Sequence, residues 1–343
     1  MRKLVSGLRL GFVLLCGQIS FGVHLAYAEK ALPVDDDFDL MAITVDNDLF
    51  VGNDDGYTNG FYLTFLDRSD ESGYIPDADF WVAPLGWSLP MADVRRAVNV
   101  YSVGQTMLSP SDITIAVPPE TELPYSALLA ASNTYIVADD KIADRVSTTL
   151  GIVGPWAMGE QTQKAVHSVI GADEPQGWDT QLENELVFQL LRSRAWRAVS
   201  FYNDQVDVIS SAELTAGTIS SAADLAVTLR FGEGLLRSFP STLLSSARLS
   251  NPIASDHGWF FYLGMNAGYS FNQIFTDGNT YRNSRSIPYK HEYVGVSTGL
   301  SFATRSWAFT FAFADSNLIG NEQDQEALEN LTRFGTMTLA WRI

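Results

Sequence analysis

Large apolar side chains recur at every second position over several long stretches of the chain. Trp307, Phe309, Phe311 and Phe313 alternate with Ala308, Thr310, Ala312 and Ala314, so an extended backbone would carry bulky groups on one face and small ones on the other. Phe261, Leu263, Met265, Ala267, Tyr269 and Phe271 alternate in the same way with Phe260, Tyr262, Gly264, Asn266, Gly268 and Ser270. That run is longer than the usual strand of a soluble domain. Shorter dyads occur in Met41-Ile43-Val45, Phe61-Leu63-Phe65, Tyr101-Val103, Val146-Thr148-Leu150-Ile152, Leu225-Val227-Leu229-Phe231 and Val294-Val296-Thr298-Leu300-Phe302. Met337, Leu339, Trp341 and Ile343 continue the alternation to the last residue. A soluble β-sandwich would alternate too. Here the opposite face is repeatedly Gly, Ala, Ser, Thr or a charged residue, and aromatic residues gather near the strand ends, as in a lipid-facing band flanked by interfacial girdles. The pattern predicts an all-β fold, a transmembrane antiparallel β-barrel of about 12 strands, each of about 9–11 residues plus a turn.

Two stretches break the alternation. Pro110–Pro124 reads as a proline-rich loop with acidic residues. From about 160 to 170, Ala165, Val166, Val169 and Ile170 recur at helical spacing, which predicts a short amphipathic helix in an extracellular loop. At the N-terminus, Arg2, Lys3 and Arg9 precede an apolar run from Leu10 to Cys16, and Ala26-Tyr27-Ala28 precedes Glu29. This order is that of a secretory signal peptide over 1–28, leaving 29–343 as one barrel domain. Leu15 before Cys16 is too large for a lipidation motif. After this segment no run of about 18 apolar residues occurs, so no transmembrane helix is expected.

Composition narrows the function classes. The chain carries 22 basic and 40 acidic residues, a net charge of −18, and loss of Arg2, Lys3 and Arg9 with the signal peptide would make it still more acidic. Such a surface has no electrostatic footprint for nucleic acid. The single cysteine, Cys16, would leave with the signal peptide, so disulfides would not brace the exported chain.

Candidate chemistry gathers in two places. Asp46-Asn47-Asp48 ends the first predicted strand, and Asn53-Asp54-Asp55-Gly56-Tyr57-Thr58-Asn59-Gly60 leads into the second. Carboxylates and amide oxygens are the hard ligands that Ca²⁺ prefers, although an Asx-rich turn uses the same residues. His167 lies in the predicted helix and is followed by Gly171-Ala172-Asp173-Glu174-Pro175-Gln176-Gly177-Trp178-Asp179. A histidine with a carboxylate one or two turns later can be a general base with its orienting partner, or a solvated loop residue. His257 and His291 lie beside turns. No Gly-x-Ser-x-Gly elbow occurs, while a Ser–His pair on adjacent barrel strands, as in an outer-membrane phospholipase, stays open by pattern.

Several separated blocks together resemble the LpxR-like lipid A 3′-O-deacylase family. They are Asp46-Asn47-Asp48 with Tyr57-Thr58-Asn59-Gly60, Gly104-Gln105-Thr106 with Ser109-Pro110-Ser111-Asp112, and Gly151-Ile152-Val153-Gly154-Pro155 followed by His167, Gly171-Ala172 and Pro175-Gln176-Gly177-Trp178-Asp179. The resemblance runs from about residue 40 to the C-terminus. It implies a 12-stranded outer-membrane barrel, acting as a monomer. The site would lie between the wall and a helix at the level of the outer leaflet, where Ca²⁺-dependent hydrolysis removes the 3′-linked acyloxyacyl group of lipid A in lipopolysaccharide. By the same resemblance the metal-binding pair falls on Asn47 and Asp48, the hydroxyl residue on Thr58, the base on His167 and its acidic partner on Asp173 or Glu174. The family's basic residues for lipid A phosphates have no motif here; Arg95, Arg96, Lys141 and Arg145 are candidates by type. A serine phospholipase and a non-enzymatic structural or channel barrel are the competing readings.

Overall fold

The computed structural model of the chain describes residues 39–47, 59–69, 73–91, 94–244, 257–315 and 333–343. The expected signal peptide, Cys16, Asp48 and Thr58 lie outside them. The described residues form twelve strands: β1 (Leu40–Asn47), β2 (Asn59–Arg68), β3 (Arg96–Leu108), β4 (Ser126–Ala138), β5 (Ile142–Val153), β6 (Glu185–Phe201), β7 (Val206–Gly217), β8 (Ser220–Gly232), β9 (Gly258–Gln273), β10 (Glu292–Ala303), β11 (Trp307–Asp315) and β12 (Arg333–Arg342). Each pairs antiparallel with its neighbours in chain order, and β12 pairs back onto β1 to close the barrel. Closure has a direct cause in hydrocarbon, where each unbonded backbone N–H or C=O costs several kcal/mol and an open edge would leave a row of them.

The dyads become the two faces of this wall. Phe261, Leu263, Met265 and Phe271 of β9, Leu225, Val227, Leu229 and Phe231 of β8, and Met337 and Leu339 of β12 are exposed on the outside. Their sequence neighbours point into the lumen and are buried or half-buried. On β1, β12, β11 and β10 those neighbours are small: Ala42, Thr44, Thr338, Ala340, Ala308, Thr310 and Ser301. Hydrogen bonds Thr44–Thr338 (2.8 Å), Ser301–Thr310 (2.8 Å) and Thr64–Ser102 (2.8 Å) pair lumen hydroxyls with one another across neighbouring strands. The sequence puts small polar groups inside and large apolar groups outside, the reverse of a soluble core.

The start of β1 and the end of β12 share one end of the barrel with the tight β4–β5, β6–β7 and β10–β11 turns. Outer-membrane barrels place such turns in the periplasm and their longer loops outside. Two periplasmic connections are nevertheless long. The β8–β9 connection enters the lumen, where Phe239, Leu243 and Leu244 pack against the inward Leu40, Leu66, Val100 and Ile136. The β2–β3 connection, with α1 (Ala83–Gly86), lies against the outer wall of β3–β6. At the extracellular end stand α2 (Gly159–Ile170) and α3 (Ile274–Asp277).

Candidate active site

The chain reaches α2 through two positions that force its direction. Gly154 has φ of 97°, and a Cβ there would meet the backbone of Glu183 and Asn184, so glycine is needed both for conformation and for space. Pro155 then opens a single 3-10 turn, Pro155–Ala157, and Met158 at φ 61° turns the chain into α2. Gly171, at φ 75°, ends the helix; its N–H donates to the carbonyl of His167 at 2.8 Å, and so does the N–H of Ala172 at 3.2 Å. This left-handed cap reverses the chain. The reversal carries Asp173 back alongside the last turn of the helix.

The helix lies where the alternation breaks, but its faces are the opposite of an ordinary amphipathic helix. Gly159, Gln163 and His167, spaced by four, are the buried residues, whereas Val169 is 84% and Ile170 64% exposed. The apolar side read from the sequence therefore faces away from the protein.

The buried side packs on the outer surface of the wall. Along β3 and β4 the odd-numbered residues point outward, with Val103 exposed lower on the same face. Near the extracellular end this face carries Gln105, Met107 and Ala127. Met107 and Ala127 form a core with Tyr125, Ala157 and Trp178. A Cβ on Gly159 would collide with Ala127 and the Trp178 ring. Gln105 Nε2 donates to the Ala157 carbonyl at 2.5 Å, and Trp178 Nε1 donates to Gln163 Oε1 at 2.7 Å. The Tyr125 and Trp178 rings sit 4.9 Å apart. Burial pushes the Tyr125 hydroxyl up to about 12, so it stays protonated and can donate to the Ile113 carbonyl at 3.2 Å. Gln176 N–H donates to the same carbonyl at 2.9 Å, which ties the segment after α2 to the β3–β4 loop.

His167 is 5% exposed, and its Nδ1 lies 2.5 Å from the main-chain oxygen of Asp173. A carbonyl oxygen only accepts, so Nδ1 carries the proton and the neutral ring has its lone pair on Nε2. The Glu174 carboxylate points elsewhere, to Lys164 Nζ at 3.4 Å, and Lys164 also pairs with Glu160 at 2.9 Å. The hydrogen bond to Glu160, together with Glu174, raises the Lys164 ammonium above its ordinary range.

The register brings the first candidate cluster to the same side. Asn47 pairs with Asn59, Asn59 with Met107, and Met107 with Ala127. At about 4.8 Å per strand, Asn47 stands roughly 10 Å from Met107 across the wall. Its parity is that of the outward Met41, Ile43 and Val45, yet it is buried; Asp46, of opposite parity, is buried toward the lumen. Among the described residues no three His, Cys, Asp or Glu side chains cluster as a metal site. Asn47 offers an amide oxygen of the type that Ca²⁺ takes, and Asp48 lies just beyond the described residues.

The basic candidates stand elsewhere. Arg95 and Arg96 pair with Asp140 at 2.5 and 2.7 Å in the periplasmic β4–β5 turn, which also holds Lys141. Arg145 points into the lumen and donates to the Leu243 carbonyl. None of the four reaches the end of the barrel that holds α2, so they do not meet a ligand beside His167. Residue type alone could not tell one end of a strand from the other. Ser111 Oγ donates to Glu122 at 2.9 Å within the β3–β4 loop, His257 is exposed at the periplasmic end, and His291 stacks on Tyr269 at 5.4 Å. Gln163, Tyr125 and Gly159 were not singled out in the sequence, whereas Trp178 stood in one of the blocks that carry the resemblance. The four-residue spacing of Gly159, Gln163 and His167 was the available signal.

A closed 12-stranded barrel with a lipid-facing wall, stoppered at one end and carrying a helix on its outer surface at the other, is an integral protein of the outer membrane. Residues 12–343 match the family model described as Outer membrane protein LpxR, and the chain belongs to that family. Among solved structures it is similar to LpxR from Salmonella typhimurium, at 15% identity and a TM-score of 0.67, over 89% of this chain and 100% of that one. The β domain of the Bordetella autotransporter BrkA (8% identity, TM-score 0.43, 89% and 98% covered) and outer membrane phospholipase A from Escherichia coli (10%, 0.31, 92% and 94%) are more distant. A search of curated proteins found no match.

Proposed function

We propose that this barrel is a lipid A deacylase that hydrolyses the 3′-linked acyloxyacyl ester of lipopolysaccharide as a monomer, with His167 as the general base. The observation that carries the reading is the placement of His167. It is buried between α2 and the outer wall, with its tautomer set by the Asp173 carbonyl, on a helix that leaves Val169 and Ile170 exposed. A substrate that never leaves the outer leaflet would meet the protein at that wall.

In the proposed reaction the His167 imidazole takes a proton at Nε2 from a water as that water attacks the ester carbonyl, and returns it to the leaving sugar oxygen. The Asp173 main-chain oxygen holds Nδ1–H throughout and stabilises the imidazolium that forms. Asn47 and Asp48 would hold Ca²⁺, which as a Lewis acid supplies charge stabilisation for the developing oxyanion. Thr58 follows from the family resemblance as a further site residue. Acyl chains would lie along the helix between Trp156 and Met158 before it and Val169 and Ile170 at its far end, all of them exposed.

Mass spectrometry of lipid A from cells with and without the protein tests this reading: loss of the 3′-linked acyl mass is expected, and unchanged lipid A would overturn it. Chelation should abolish turnover and Ca²⁺ should restore it better than Mg²⁺, since an irregular oxygen site suits the larger ion; full activity in excess chelator would remove the metal from the reaction.

A further inference from the structure

We infer that the β2–β3 connection over residues 73–91 is a second membrane-contacting element, which covers a polar patch of the barrel's outer wall and docks into glycerophospholipid of the periplasmic leaflet.

The patch is unusual for a lipid-facing wall. At outward positions toward the periplasmic end, β3 carries Asn99 and Tyr101, β4 carries Asn133 and Tyr135, β5 carries Asp144, and β6 carries Arg192 and Arg194. Side chains of these types are costly against hydrocarbon. They satisfy one another in part: Asn133 Nδ2 donates to Asn99 Oδ1 at 2.6 Å, Arg194 Nε to Asp144 at 2.8 Å, and Arg192 also donates to Asp144.

The connection supplies the rest. Asn99 Nδ2 donates to the Asp77 carbonyl at 3.2 Å, Tyr135 Oη to the Pro76 carbonyl at 2.7 Å, and Tyr101 Oη to the Asp79 carboxylate at 2.8 Å. Arg192 Nε donates to Ser88 Oγ at 3.0 Å. Val82 and Leu89 close over Ala97, Tyr135, Val137 and Val146 in a dry layer between connection and wall. The segment is thus fastened to the wall along its length.

Its other side is apolar and faces away from the protein. Phe80 is 76% and Trp87 83% exposed, and Tyr74, Ile75 and Met91 are exposed beside them. Trp87 Nε1 already donates to the Pro84 carbonyl at 3.1 Å, so the indole can enter an apolar layer with its donor satisfied. Phospholipid is the occupant that the surroundings support, because this face continues the lipid-facing wall of β6, where Trp196, Val199 and Phe201 are exposed toward the same end. Tryptophan and tyrosine at that level are the residues of a membrane–water interface.

Single labelling sites test the assignment. In a Cys16→Ser background, Phe80→Cys, Trp87→Cys and, as an aqueous reference, Lys141→Cys would each carry a nitroxide in vesicles of phosphatidylethanolamine and phosphatidylglycerol. Heat-modifiable migration verifies the barrel in each. Labels at Phe80 and Trp87 are expected to show a severalfold higher ratio of collision with oxygen to collision with a water-soluble nickel chelate than the label at Lys141. Ratios equal to that at Lys141 would overturn the proposal by placing the segment in water. Labels immobilised and shielded from both reagents would overturn it in favour of a protein partner or a second copy.

Discussion

At the scale of single residues, the site depends on which atom receives the His167 proton. The Asp173 main-chain oxygen is in contact with Nδ1, whereas the Glu174 carboxylate is engaged by Lys164. His167→Ala should therefore lower turnover by about 10²–10⁴, the usual worth of a positioned base, and leave heat-modifiable migration unchanged; deacylation at the parent rate would remove His167 from the reaction. Glu174→Gln should cost little by comparison. Asp173→Ala keeps the carbonyl and should retain more activity than His167→Ala, and a loss as large as that of His167→Ala would show that the carboxylate is needed. Ser111→Ala should leave turnover intact, since Ser111 Oγ serves Glu122; its loss with a folded barrel would favour a serine hydrolase.

At the scale of elements, α2 holds its place through contacts that tolerate little added volume. Gly159→Leu would drive a side chain into Ala127 and Trp178 and should lift the helix from the wall. The expected result is loss of activity comparable to that of His167→Ala, with barrel migration preserved, because the wall strands carry their own hydrogen bonds. Retained turnover in Gly159→Leu would mean that the helix need not seat. The Glu160–Lys164–Glu174 cluster predicts a pH effect of definite sign. With the Lys164 pKa raised by these hydrogen bonds, the cluster's contribution to holding Glu174 is complete below the ordinary lysine value of 10.5 and is lost as pH rises through the raised one. Isotope-labelled dimethyl-Lys164 followed by NMR should titrate above that of an isolated lysine, and Glu160→Gln should bring its midpoint down.

At the scale of the whole molecule, the lumen is stoppered by the β8–β9 connection, and buried charges hold the stopper. Arg230, fully buried, makes a two-pronged contact with Asp207 at 2.9 and 2.6 Å and donates to Ser238 Oγ at 3.0 Å and the Leu235 carbonyl at 2.7 Å; Arg197 reaches the same Asp207 at 2.7 Å. Removing one partner of a buried pair costs about 3–5 kcal/mol, so Arg230→Met should lower the denaturant midpoint of the barrel, and pairing it with Asp207→Leu should recover part of the loss. An unchanged midpoint for Arg230→Met would show that the stopper adds nothing to stability. With Phe239, Leu243 and Leu244 packed against the inward wall, planar bilayers containing the parent protein should lack porin-like conductance steps. Large steady conductance would instead support the channel reading.

The alternation of residues settled most of the barrel by itself. In Trp307–Ala314, Gly258–Gln273 and the last residues of β12, period two with bulky groups on one side leaves only extended chain. Small partners such as Ala308, Thr310 and Gly264 then assign the bulky side to lipid. The helix near 160–170 was also legible, with His167 on it, because aperiodic sequence inside a barrel marks something added to it. Which way that helix faces was not. A hydrophobic pattern names a face without saying what surrounds it, and at the rim of a lipid-facing wall Val169 and Ile170 point outward while Gln163 and His167 point in. Nor could the sequence separate the ends of the barrel: Arg95, Arg96, Lys141 and Arg145 share their charge with any residue that could meet a phosphate, and only strand register puts them at the periplasmic end or in the lumen. The Asp173 contact to His167 was hidden for a related reason. It is made by a main-chain oxygen, which every residue has, and only the left-handed turn at Gly171 brings this one within reach.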